Sequence, residues 1–275
     1  MAIRNIGPAH IVNFYQVIND AITDIEANGF DSQSRIDGWM DRIETAARAA
    51  MLPEFAIQAT MSDALASIWK RAVERGGVLK MHPGVSRFSL EHIKPRLRSE
   101  LDRRVMASAQ LIKLNRQQSI AKTLQRFSGW ATSVPAGGSR AVDKPEVRDD
   151  LKKALRSLPY EERRVAIDQG HKLVATINDI VAVDSGAIAC EWHSHYRQPG
   201  YNARPDHKER DGRVYLIRGN WASAQGLVKP GAAGYSDEIT QPGEEVFCRC
   251  NYRYIYSVRG LPDDMVTAKG REVVR

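Results

Sequence analysis

Apolar residues recur at steps of three and four along the first half of the chain, which is the signature of helices burying one stripe. Between His10 and Ala27 the stripe is Ile11, Phe14, Tyr15, Ile18, Ile22 and Ile25, and Asn28-Gly29 supplies a stop. A second helix starting near Ser32 or Ser34 carries Ile36, Trp39, Met40, Ile43 and Ala47 inward. Pro53 suits the first turn of a third, which runs from Phe55 to Val73 and ends at Arg75-Gly76-Gly77. Beyond His82-Pro83-Gly84, Ser89 is a candidate N-cap, with Pro95 near the start where proline is tolerated. Leu97, Leu101, Val105, Leu111, Leu114, Ile120, Leu124 and Phe127 then give one long helix its apolar face.

The texture changes twice. Pro135-Ala136-Gly137-Gly138-Ser139 sits in a polar stretch that reads as a flexible linker over residues 133–145. Helical patterns return over Glu146–Leu158 and Tyr160–Val181. After Asp184-Ser185-Gly186, short alternating runs at Ala187–Tyr196, Arg213–Ile217 and Val246–Tyr256 read as strands. The pattern therefore predicts an α+β protein with three parts. Residues 1–132 form a mainly α-helical N-terminal region, residues 133–145 a linker, and residues 146–275 a small α+β domain with short antiparallel strands. Trp39, Trp69 and Trp130 fall on apolar stripes, and Trp192 and Trp221 are expected to anchor the C-terminal core.

Composition narrows the class. At 275 residues, 43% hydrophobic and 27% charged, the chain has the balance of a folded globular protein of one large or two modest domains. No apolar run reaches the roughly 18 residues of a membrane-spanning helix, and the N-terminus has no signal-peptide pattern, so synthesis in the cytoplasm is expected. The net charge of +7 is unevenly spread, since Arg87 to Arg126 holds ten Lys/Arg against three acids. Lys94, Arg96, Arg98, Arg103, Arg104, Lys113, Arg116 and Lys122 are thus candidates for contact with nucleic acid or an acidic partner. The alternative is a solvated face of a basic protein, since no stacking aromatics are interleaved.

Cys190, Cys248 and Cys250 make no disulfide framework, which leaves metal binding or packing. On a strand, His193 and His195 share one face while Cys190 and Trp192 share the other, and Cys248 and Cys250 share a face of a later strand. His193, His195, Cys248 and Cys250 are therefore candidate zinc ligands, with His207 in reserve. A nuclease would draw on His193, His195, His207 and Arg204 as acid, base and phosphate-holding groups. No nucleophile–base pair is set by their spacing, so the competing reading is that these side chains hold loops by hydrogen bonding.

The order of features in the last ninety or so residues is distinctive: Trp192, then Arg204-Pro205-Asp206-His207, then Asp211-Gly212, then Cys248-Arg249-Cys250. This resembles the phage Mu F-like head morphogenesis family, whose C-terminal domain shows a Trp, an Arg-x-x-His, a Gly-containing turn and a Cys-Arg-Cys close. The likeness covers about residues 160–257. It departs from the family at Phe247, where Asn is usual, and at Asp168-Gln169-Gly170-His171, where Arg-Thr-Glu is common. The resemblance implies a low-copy minor head protein of the virion, acting at the portal vertex in head assembly and in DNA packaging or ejection. Its expected partners are the portal, other head or head–tail connector proteins and packaged DNA. A small RNase-like activity and a DNA-binding packaging accessory are the alternatives.

Overall fold

The computed structural model describes residues 8–51, 53–138, 145–195 and 198–274. As expected, the protein is α+β, with helices throughout the N-terminal half and a small antiparallel sheet in the C-terminal region. By contact the chain divides into two compact units that are discontinuous in sequence. One comprises Met1–Met61 with Met106–Ala166, the other Ser62–Val105 with Ile167–Arg275. None of these divisions falls in the 133–145 stretch.

In the first unit, α1 (Pro8–Asn28) and α2 (Gln33–Ala50) pack their stripes together. Their core takes in Phe14, Ile18, Ile22, Ile36 and Ile43, and adds Phe127 from α4 (Arg87–Ala131) and Leu151 from α5 (Pro145–Arg156). α3 (Glu54–Trp69) continues into a π-helical turn at Lys70–Glu74. α4 starts earlier than the sequence suggests. Ser86, not Ser89, caps it, accepting the Ser89 N–H at 3.1 Å. Pro95 consequently lies inside the helix, in its third turn, rather than at its tolerant start.

The Ser133–Gly138 part of the expected linker is docked, not free. Val134 is buried in the first core, and its carbonyl accepts the Phe30 N–H at 3.1 Å. The Gly137 N–H donates to the Asn28 carbonyl at 3.0 Å, so this segment caps the end of α1. Residues 139–144 of that linker lie outside the described residues. Gly29 makes the junction possible: its φ is +72°, and a Cβ there would run into the Pro135 carbonyl. Gly29→Ala is expected to cost at least about 1–2 kcal/mol from the left-handed backbone alone. Urea unfolding of the variant measures it, and an unchanged midpoint would contradict the docking.

In the second unit, α6 (Leu158–Asp184) leads into the sheet. Its three strands are β1 (Ala189–His193), β2 (Val214–Leu216) and β3 (Asn251–Ile255), in the order β2-β1-β3, all antiparallel. Cys190 lies opposite both Tyr215 and Tyr254, and Trp192 opposite Tyr252. One core holds Ile188, Leu216, Leu227, Ile255 and Met265; another holds Cys190, Trp192, Tyr215, Cys248, Cys250, Tyr252 and Tyr254. Trp192 is a core anchor as expected. Trp221, in α8 (Trp221–Ala224), is 43% exposed and only tethers the sheet's entry by donating to the Gly186 carbonyl at 3.1 Å.

His82 carries no signal in the sequence, yet it is fully buried here. Its Nδ1 faces the Tyr256 hydroxyl at 2.6 Å and its Nε2 faces Asn178 Oδ1 at 3.0 Å. These partners assign the neutral tautomer with the proton on Nε2. Burial pushes its pKa down, against the Asn178 bond that raises it. A depressed histidine contributes stability that is intact above the unfolded pKa of about 6.5 and declines as pH falls below it. His82→Ala is expected to cost about 2–4 kcal/mol at pH 7.5, through a cavity and two stranded polar groups. Paired urea titrations at pH 7.5 and 5.5 should show a smaller acid penalty in the variant than in the parent.

Candidate metal centre

The strand pattern ends sooner than alternation predicts, and that decides which side chains meet. β1 stops at His193, because the Ser194 N–H turns to donate to Asp211 Oδ1 at 2.7 Å. Asp211 sits in a turn that Gly212 completes with a φ of +76°. Cys190 and Trp192 do face the core together, with Glu191 and His193 on the other face. His195 lies past the strand, so the two histidines share no strand face. His193 Nε2 rests 3.7 Å from Glu191 Oε2 instead.

The second cysteine pair also lies outside a strand. Phe247 has a φ of +60°, and β3 begins only at Asn251, so Cys248 and Cys250 occupy the turn leading into it. Two contacts shape that turn. Asp168 of α6 accepts the Phe247 N–H at 2.6 Å, and the Cys248 N–H donates to the Glu245 carbonyl at 3.1 Å. Both thiols are buried and converge on His207, which is 1% exposed. His207 Nδ1 lies 3.7 Å from Cys248 Sγ and 3.5 Å from Cys250 Sγ. His207 comes from α7 (Pro205–Glu209), a short helix begun by Pro205 after Arg204. Its ring stands edge-on to Trp192, with centroids 5.1 Å apart.

His207, Cys248 and Cys250 thus form a buried group able to hold a metal ion. Ligand bonds of about 2.3 Å to sulfur and 2.0–2.1 Å to nitrogen, at the tetrahedral angle, place S and N about 3.6 Å apart. The two S···N separations match that edge. The far side of the imidazole fits as well. His207 Nε2 is buried without a hydrogen-bond partner among the described residues, and faces Glu245 Oε1 at 3.7 Å and Asp206 Oδ2 at 3.8 Å. A carboxylate behind a ligating histidine sets its tautomer and raises its basicity. Arg204 secures that carboxylate, with its Nε 2.5 Å from Glu245 Oε2, and donates to the Val246 carbonyl at 3.0 Å. The Arg204-x-x-His207 spacing therefore has a physical role: the arginine holds Glu245 and the histidine meets the thiols.

The thiols are electrostatically unequal. A hydrogen bond from Cys250 pulls Cys248 down to about 5, helped by the Gly243 and Cys250 backbone and by His207, against the opposing effect of burial. Cys250 is pushed up, chiefly by that same interaction with Cys248 and then by burial. The asymmetry favours the thiolate form at Cys248, the form in which cysteine binds a metal. Cys190 is a packing residue: burial raises its pKa far above the ordinary value and keeps it a thiol.

Among the four proposed for a nuclease, His195 lines a cavity, His193 lies beside Glu191, His207 is buried against the thiols and Arg204 is held by Glu245. Arg249 is exposed, with its guanidinium 6.0 Å from the Tyr201 ring.

The basic stretch is largely neutralised by acids, several of them remote in sequence. Lys94 pairs with Glu91, Arg96 with Asp184, Arg98 with Asp102, Arg103 and Arg104 with Glu100, and Lys113 with Glu54. Arg116 points inward to Glu162, so it does not serve as an exposed contact for a polyanion. Lys122 stays exposed, beside Arg126 and Lys153 in a shallow recess. Sequence reasoning placed His207 only in reserve. The signal that singles it out is the Arg-x-x-His spacing, not the closer His-x-His pair.

Comparison of the chain with protein-family models, with curated proteins and with solved structures found no match in any of the three. No described helix is long and apolar enough to cross a membrane.

Proposed function

We propose that this chain is a bacteriophage minor head protein, a low-copy virion component acting at the portal vertex, with a zinc-stapled C-terminal unit. One observation carries the reading. Of the residues behind the Mu F-like resemblance, Trp192, His207, Cys248 and Cys250 are well separated in sequence yet meet in one small buried cluster, with Arg204 and Asp211 half-buried beside it and Arg249 exposed. Trp192 packs on His207, His207 faces Cys248 and Cys250, Arg204 holds the acid behind His207, and Asp211 ends β1. A signature of this kind is expected where the residues cooperate to hold a small fold.

The two departures from the family pattern are compatible with the same architecture. Phe247 takes the left-handed backbone that asparagine, usual there in the family, adopts most readily among non-glycine residues. Asp168 supplies, from the helix expected to enter the domain, the acceptor that pins the Cys-Arg-Cys turn.

Zinc suits the donor set. Two thiolates and an imidazole are soft-to-borderline ligands that favour it over magnesium or calcium. His207, Cys248 and Cys250 would hold the ion, which would cross-link α7 to the turn before β3. That staple would supplement a sheet of only three short strands.

Mass spectrometry of purified phage particles and proheads, with zinc quantified in the isolated protein, tests the proposal. A few copies per particle together with the portal is the expected result. Absence from both particles and proheads would overturn the virion reading and leave the metal question to the zinc measurement.

A further inference from the structure

A cavity of about 480 Å³ lies in the second unit, and its wall includes both Cys248 and Cys250. We propose that the metal held by His207, Cys248 and Cys250 keeps an exchangeable fourth position, open to this cavity, that takes an anionic ligand. The inference rests on the zinc reading above.

Structural zinc sites close with four protein ligands, whereas sites that exchange ligands have three and an open position. The group here supplies three donors among the described residues. Ser194 Oγ, 3.9 Å from Cys250 Sγ, belongs to a neutral hydroxyl, a poor zinc ligand. His207 is absent from the cavity wall, while Cys248 and Cys250 form part of it. A metal held by these residues would therefore lie next to the cavity on its cysteine side. The volume falls in the range of small-molecule sites, about 300–1,000 Å³.

On the wall, a cation with no ion pair among the described residues sets the ligand class. Arg103, Arg104, Lys172 and Arg249 face two acids, Asp179 and Glu244, and His171 and His195 add imidazole donors. Glu100 already engages Arg103 and Arg104, and Asp168 engages Lys172 at 3.3 Å. Arg249, between the two thiols in sequence, makes no ion pair among the described residues. A carboxylate, phosphate or comparable small anion at the fourth position would meet that guanidinium and the imidazoles together.

The test uses the full-length protein loaded with cobalt(II) in place of zinc and titrated with azide as the anion. Visible bands of thiolate-bound tetrahedral cobalt should appear and shift saturably with azide. Arg249→Gln should retain its cobalt and bind azide about tenfold more weakly. Cobalt bands that azide leaves unmoved would overturn the open position while leaving the metal site standing. If those bands become azide-sensitive only in His195→Ala, His195 fills the fourth position and the proposal fails. Equal azide affinity in Arg249→Gln would remove the anion-selecting role. The absence of thiolate–cobalt bands would sink both this inference and the zinc reading.

Discussion

Stripping the metal with a strong chelator should lower the melting temperature of the second unit by roughly 10 °C. An ion that binds only the folded state stabilises by about 4 kcal/mol when its free concentration is about a thousand times its Kd. A unit of this size shifts by about 2–4 °C per kcal/mol. The site amplifies the effect because its donors are buried. His207 is 1% exposed, as is Cys248, so metal removal leaves polar donor groups without their ligand in a poorly solvated core. Calorimetry with and without chelator, alongside elemental analysis, measures the shift. His207→Ala and Cys250→Ser should each lose the metal and the shift, whereas Cys190→Ala should keep bound metal despite its packing defect. A metal-containing preparation whose melting is indifferent to the chelator would contradict the stapling role.

Glu162→Ala should destabilise the first unit by about 3–5 kcal/mol, the cost of leaving a buried charge uncompensated. Arg116 Nε lies 2.5 Å from Glu162 Oε1, and the two residues are 6% and 2% exposed. Attraction between the pair largely offsets the cost of desolvating them, so the pair itself contributes little net stability while each half alone is expensive. The double variant Arg116→Met/Glu162→Leu should therefore lie within about 1–2 kcal/mol of the parent, far from the sum of the single losses. Urea unfolding of the three proteins completes the cycle. A Glu162→Ala midpoint equal to the parent's would show that the pair is solvated in solution. The same geometry makes a statement about function: Arg116 is committed to the interior, so any DNA contact by α4 must use other residues, with exposed Lys122 the first to test.

Much of the fold was legible because helix periodicity is local. The spacing of Phe14, Ile18, Ile22 and Ile25 dictates a buried stripe whatever surrounds it, and α1 follows it closely. Cys190 and Trp192 were likewise readable as one face of a strand, since alternation needs only the pleat. The long α4 was visible in its apolar pattern. Its beginning was not, because a serine caps only if the backbone there turns into the helix, and that choice fell on Ser86.

The candidate site marks the boundary between local and tertiary information. Sequence alone determined that Cys248 and Cys250 are neighbours, that Arg204 precedes His207 by three residues, and that no local pattern supplies a complete metal site. The tertiary structure decided that His207, rather than His193 or His195, faces the thiols. Alternation places His193 and His195 on one face only while a strand continues, and the Asp211 turn ends β1 between them. The charge of α4 followed the same division. Ten basic residues were countable along the segment, but Glu54, Glu162 and Asp184 neutralise their share only through space. Propensity and period act over a turn or a pleat, whereas ligand sets and ion pairs depend on where loops bring distant side chains within a few ångströms.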